Sequence, residues 1–92
     1  MATILSDGTV SKIRNLQKKF KPYADKGWMS EGSDVVPGAV SAIFNNNTEE
    51  FFICDIDGNI ISGLSNLTSI TEDEAKEMAK IEGMIRKTIE EN

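Results

Sequence analysis

The segment from Phe51 to Leu64 limits the fold more than any other stretch of the chain. Phe51-Phe52-Ile53-Cys54-Asp55-Ile56 is aromatic and β-branched, Asp57-Gly58 interrupts it, and Asn59-Ile60-Ile61-Ser62 resumes the apolar character. An Asp-Gly pair between two apolar runs is the strongest short-range hairpin signal, because both turn positions need positive φ. Side chains alternate along a strand, so Phe52, Cys54 and Ile56 share one face and Phe51 and Ile53 the other. Both faces are apolar, which places this strand in the middle of a sheet with cover on both sides.

The flanking segments supply the rest of the architecture. Val10, Ile13, Leu16 and Phe20 recur at spacings of three and four, which predicts a helix over 9–22. Ser6-Asp7-Gly8 offers caps before it, and Pro22 with Gly27 beyond brings it to an end. Residues 24–38 hold Gly27, Gly32, Pro37 and Gly38 without a sustained period and read as a loop. Residues 39–44 fit either a strand or a short helix, with Asn45-Asn46-Asn47 as a turn favouring the strand. A second helix is predicted over 72–91, with Thr71 and Glu74 as a capping box and Ala75, Met78, Ala79, Ile81, Ile85 and Ile89 on one arc. Gly83 inside it costs about 1 kcal/mol against alanine, and close approach to another backbone is the reason to carry it. The expectation is a single α+β domain: an N-terminal helix, a small antiparallel sheet of about three strands over 39–64, and a long C-terminal amphipathic helix.

Composition narrows the function. The 92 residues contain no histidine and one cysteine, which removes imidazole acid–base catalysis, His/Cys zinc sites and an internal disulfide. Fifteen acids face ten bases, for a net charge of −5, and the two signs are segregated. Residues 1–48 carry six bases and four acids, and residues 49–92 carry four and eleven. The first helix presents Lys12, Arg14, Lys18, Lys19 and Lys21 on one side, a pattern able to track phosphates or dock an acidic protein. Because the chain is acidic overall and few aromatic or amide side chains accompany these cations, nucleic acid is not the expected partner. The N-terminus lacks the basic and apolar regions of a signal peptide, and no apolar run reaches the roughly 20 residues of a membrane span. A free cysteine in such a chain sets a cytoplasmic expectation.

Chemical candidates are few. Cys54 lies in mid-strand with no histidine to activate it and reads as a small buried apolar residue. Phe52-Ile53-Cys54-Asp55-Ile56-Asp57-Gly58-Asn59 resembles the first motif of the haloacid-dehalogenase-type phosphotransferases, an apolar strand ending in Asp-x-Asp-Gly-Thr. The resemblance implies a Mg²⁺-dependent phosphate enzyme with Asp55 as nucleophile and metal ligand and Asp57 as acid–base. Asn59 stands in place of the threonine, and the 34 residues after Gly58 leave no room for that family's further strands. The hairpin of Ile53 to Ser62 followed by a long helix is similar to PAS- or Cache-like sensory folds and to roadblock-type dimeric scaffolds. That resemblance implies small-ligand sensing or dimeric scaffolding.

The leading expectation is a non-catalytic, acidic protein-interaction or regulatory module, an adaptor or inhibitor of a larger partner, with no metal and no cofactor. Trp28 and Met29 in the loop and Lys12, Lys18 and Lys19 on the first helix are the candidate partner contacts. A homodimer is expected as well, through Met78, Ile81, Met84 and Ile85 of the second helix. Phe51, Ile53, Ile60 and Leu64 form a candidate exposed patch on the sheet.

Overall fold

A computed structural model describes residues 6–91. The chain runs through α1 (Asp7–Ala24), β1 (Trp28–Gly32), β2 (Ser41–Asn45), β3 (Glu50–Cys54), β4 (Ile60–Ser62), a single 3₁₀ turn (Leu64–Asn66) and α2 (Glu72–Glu90). The class is α+β, as expected, with four strands in place of three. They form an antiparallel meander in the order β1-β2-β3-β4. The ambiguous segment 39–44 enters a strand at Ser41, and β3 is one of the two central strands.

Two expectations about boundaries need correction. The segment 24–38 is not all loop, because Trp28–Gly32 pairs with β2 along its full length. Of the three positions of β1 on the helix-side face, Trp28, Ser30 and Gly32, only Trp28 is large and apolar, so the segment shows no apolar period. Helix α1 starts at Asp7, with Ser6 alone as its cap, and continues past Pro22 to Ala24. Proline lacks the N–H that a helix interior requires. Here the last turn is held from outside by Tyr23, which is buried and donates its hydroxyl to Glu77 of α2 at 2.5 Å.

Strand register sorts the side chains into two layers. Trp28, Ile43, Phe52 and Cys54 point to the face on which Leu16, Phe20 and Tyr23 of α1 and Ala75, Met78, Ala79 and Ile81 of α2 pack. Trp28 lies 5.8 Å from Phe52 between ring centroids and tilted by 56°, a geometry that aromatic pairs favour. Helix α1 lies beside α2 and against β1, while α2 crosses β2 and β3. Both helices therefore cover the same face of the sheet.

Helix α2 begins as its sequence dictates. Thr71 Oγ1 accepts from the Glu74 N–H at 3.1 Å, and Glu74 Oε1 accepts from the Thr71 N–H at 2.9 Å. Two orphan donors of the first turn are satisfied at once. Gly83 supplies the close approach that its cost demanded. A Cβ there would sit 2.7 Å from the Gly58 nitrogen and 2.9 Å from the Ile56 carbonyl oxygen. Gly58 has φ of 81° in the β3–β4 turn, and its own Cβ would lie 2.7 Å from Lys80 Cα. The hairpin turn thus rests backbone to backbone on α2.

Substituting Gly83 by alanine should gain about 1 kcal/mol of helix propensity and lose about 1–3 kcal/mol by overpacking. At Gly8, in the first turn of α1, an added Cβ would meet nothing within 4 Å. Urea unfolding should therefore show Gly83→Ala destabilised and Gly8→Ala neutral or stabilised. The opposite order would refute the close contact.

Candidate functional site

The face of the sheet away from the helices is the candidate site. Register places Met29, Phe44 and Phe51 side by side across β1, β2 and β3. The next row is Glu31, Ala42, Ile53 and Ser62. Met29 is 54% exposed, Phe51 49%, and Phe44 half-buried. Alternation explains the row: Trp28, Ile43 and Phe52 point inward, so their neighbours must point out. Phe44 and Phe51 line a depression of about 520 Å³ with Ala42, Asn45 and Asn46, together with the exposed Glu31 and Glu49 and the buried Glu50. No lysine or arginine lines it.

Several expected contacts lie elsewhere. Trp28 is 2% exposed and packed on Phe52, so only Met29 of that pair reaches the surface. Of the proposed patch, Phe51 is exposed, but Ile53 is buried. Ile60 and Leu64 lean on the helix-side core. Along α2, Met78 and Ile81 are buried within the chain's own core, Ile85 packs partly against it, and Met84 remains exposed. These four residues are therefore not together on a free surface. Lys12, Lys18 and Lys19 are all exposed on α1, in the helix layer and away from the row of Met29, Phe44 and Phe51. Phe44 escapes a reading of the sequence because residues 39–44 have no settled face there. The two-residue alternation through Ile43 is the signal that would find it.

The aspartate motif has a structural occupation. Asp55 Oδ1 accepts from the N–H groups of Asp57 at 3.0 Å and Asn59 at 2.8 Å, and Oδ2 accepts from the Asn59 amide at 3.3 Å. These bonds, led by that from the Asn59 backbone, hold the carboxyl below its ordinary range. Asn59 is thus a turn partner where the phosphotransferase motif has threonine. Cys54 is fully buried, and burial with the nearby Glu82 and Asp55 charges pushes its thiol up to about 11. Glu82 is itself buried, and desolvation raises its pKa while Ser30 and Arg86 pull it back. Among the described residues, no group of three or more His, Cys, Asp or Glu could hold a metal ion, and no helix is long and apolar enough to cross a membrane.

Glu50 ties the segment ahead of α2 to the sheet. Its carboxylate accepts from the N–H groups of Thr68 at 2.6 Å and Ser69 at 3.0 Å, and from the Ser69 hydroxyl. Nearby, Asn45 Oδ1 accepts from the N–H groups of Asn47 and Thr48, and its amide donates to the Lys26 carbonyl at 3.1 Å. The end of β2 and the start of β3 are thereby fixed, and with them Phe44 and Phe51. Comparison of the chain with protein-family models, with curated proteins and with solved structures finds no match.

Burial pushes the Glu50 carboxyl up, but the hydrogen bonds from Ser69, Thr48 and Thr68 outweigh it and lower the pKa from 4.5 to about 2. A carboxyl depressed in the folded state stabilises fully above its unfolded value and loses that contribution as pH falls through the folded one. Wild type should therefore lose thermal stability more steeply between about pH 5 and 2 than Glu50→Gln. Parallel curves for the two proteins would exclude this role.

Proposed function

We propose that the protein is a non-catalytic interaction module that docks a larger protein partner on the open face of its sheet. The observation that carries this reading is the row of Met29, Phe44 and Phe51, left uncovered because both helices lie on the other side. Solvent-facing aromatic side chains in a contiguous group mark interaction surfaces more often than isolated ones do. Sulfur and aromatic groups of this kind are favoured at interface centres. Two observations support this reading over a catalytic one: Asp55 organises the β3–β4 turn and Cys54 fills the core.

Site-specific photocrosslinking in the native host tests the location. A photoreactive residue at position 51 should yield a protein adduct that the same residue at position 18 does not. A Met29→Ser, Phe51→Ser variant, whose surface changes should leave stability within about 0.5 kcal/mol, should lose the partner. Adducts only at position 18 would move the interface to the cationic side of α1. Adducts at neither position would remove the support for an interaction module.

A further inference from the structure

The chemistry of the open face selects a class of partner. The row of Met29, Phe44 and Phe51 crosses three strands, and neighbouring strands lie about 4.8 Å apart, so its ends are about 10 Å apart. A helix rises about 1.5 Å per residue, which separates positions i and i+7 by about 10.5 Å. Apolar residues at i, i+4 and i+7 of one helix therefore match the row in number and spacing. Charge adds direction. Glu31 and Glu49 line the depression, both are exposed, and neither forms an ion pair among the described residues.

We propose, building on the interaction reading above, that this face receives a cationic amphipathic helix of a protein partner. The helix lies across β1, β2 and β3, with three apolar residues over Met29, Phe44 and Phe51 and lysine or arginine beside Glu31 and Glu49. A helix laid in a groove is a recurrent mode of peptide recognition. A second copy of this chain fits less well. Its cationic element is α1, whose apolar residues Leu16, Phe20 and Tyr23 are already buried in its own core.

The test uses a fluorescent 18-residue helical peptide with leucines along one stripe and lysines elsewhere, and a twin carrying glutamate for every lysine. By anisotropy with the full chain, the lysine peptide should bind saturably and the glutamate twin at least tenfold more weakly. Two double variants separate a local contact from general attraction to an acidic protein. Glu31→Gln with Glu49→Gln and Asp73→Asn with Glu90→Gln both change the net charge from −5 to −3. Only the first should weaken the lysine peptide, by about tenfold, and Phe51→Ser should weaken it as strongly.

Equal binding of the two peptides, or equal effects of the two double variants, would overturn the cationic-helix assignment. If Phe51→Ser still weakened both peptides, the docking face itself would stand. If Phe51→Ser affected neither, the docking face would fall with it. A doubled mass by light scattering that Phe51→Ser abolishes would assign the face to a second copy and overturn the helix.

Discussion

Two helices side by side, each about 10 Å across, span one face of a four-stranded sheet about 19 Å wide and no more. That constraint orders the rest of the molecule. It makes Trp28, Ile43, Phe52 and Cys54 the inner layer and fixes which residues of α1 and α2 must be apolar. It also leaves Met29, Phe44 and Phe51 facing water, because strand alternation gives them nowhere else to go. The contact between Gly58 and Gly83 sets how closely α2 approaches the end of the sheet. A side chain at either glycine would lift the helix off the turn and loosen the layer that the core depends on.

What can be read from the residues alone is what local chemistry determines. The Thr71–Glu74 cap and the extent of α2 follow from neighbours close in sequence and are present, and the Asp57-Gly58 turn is present with positive φ at Gly58 but not at Asp57. Gly83 is legible as a close approach because glycine within a helix has a cost that something must offset. Strand β1 is hidden, since an edge strand with one inward-facing apolar residue resembles a loop. The two residues that look most alike as contacts, Trp28 and Met29, fall on opposite faces of that strand. Once β1 is known to be a strand, alternation alone separates them.

The candidate site is half visible for a related reason. The alternation in β3 sets Phe51 and Ile53 opposite Phe52 and Cys54, but both faces are apolar and the partners of Phe51 in the row come from strands whose register the sequence does not settle. Likewise Asp55 carries the same residue type in a catalytic motif and in a turn. In the structure the hydrogen bonds from Asp57 and Asn59 show that its carboxylate organises the hairpin turn. The apolar arc of α2 is plain in the sequence, yet it is consumed by the sheet beneath it, so it leaves little for another molecule.

The position of Trp28 has a consequence for how the domain opens. Strands with a single neighbour are ordinarily the first part of a sheet to fray, because few hydrogen bonds hold them. Here one of the two edge strands, β1, carries the largest fully buried side chain among the described residues. Peeling β1 away would draw that indole out from beside Phe52 and breach the core in the same motion. This edge of the sheet is thereby tied to the core packing, so detaching β1 would cost the burial of Trp28 as well as its hydrogen bonds to β2.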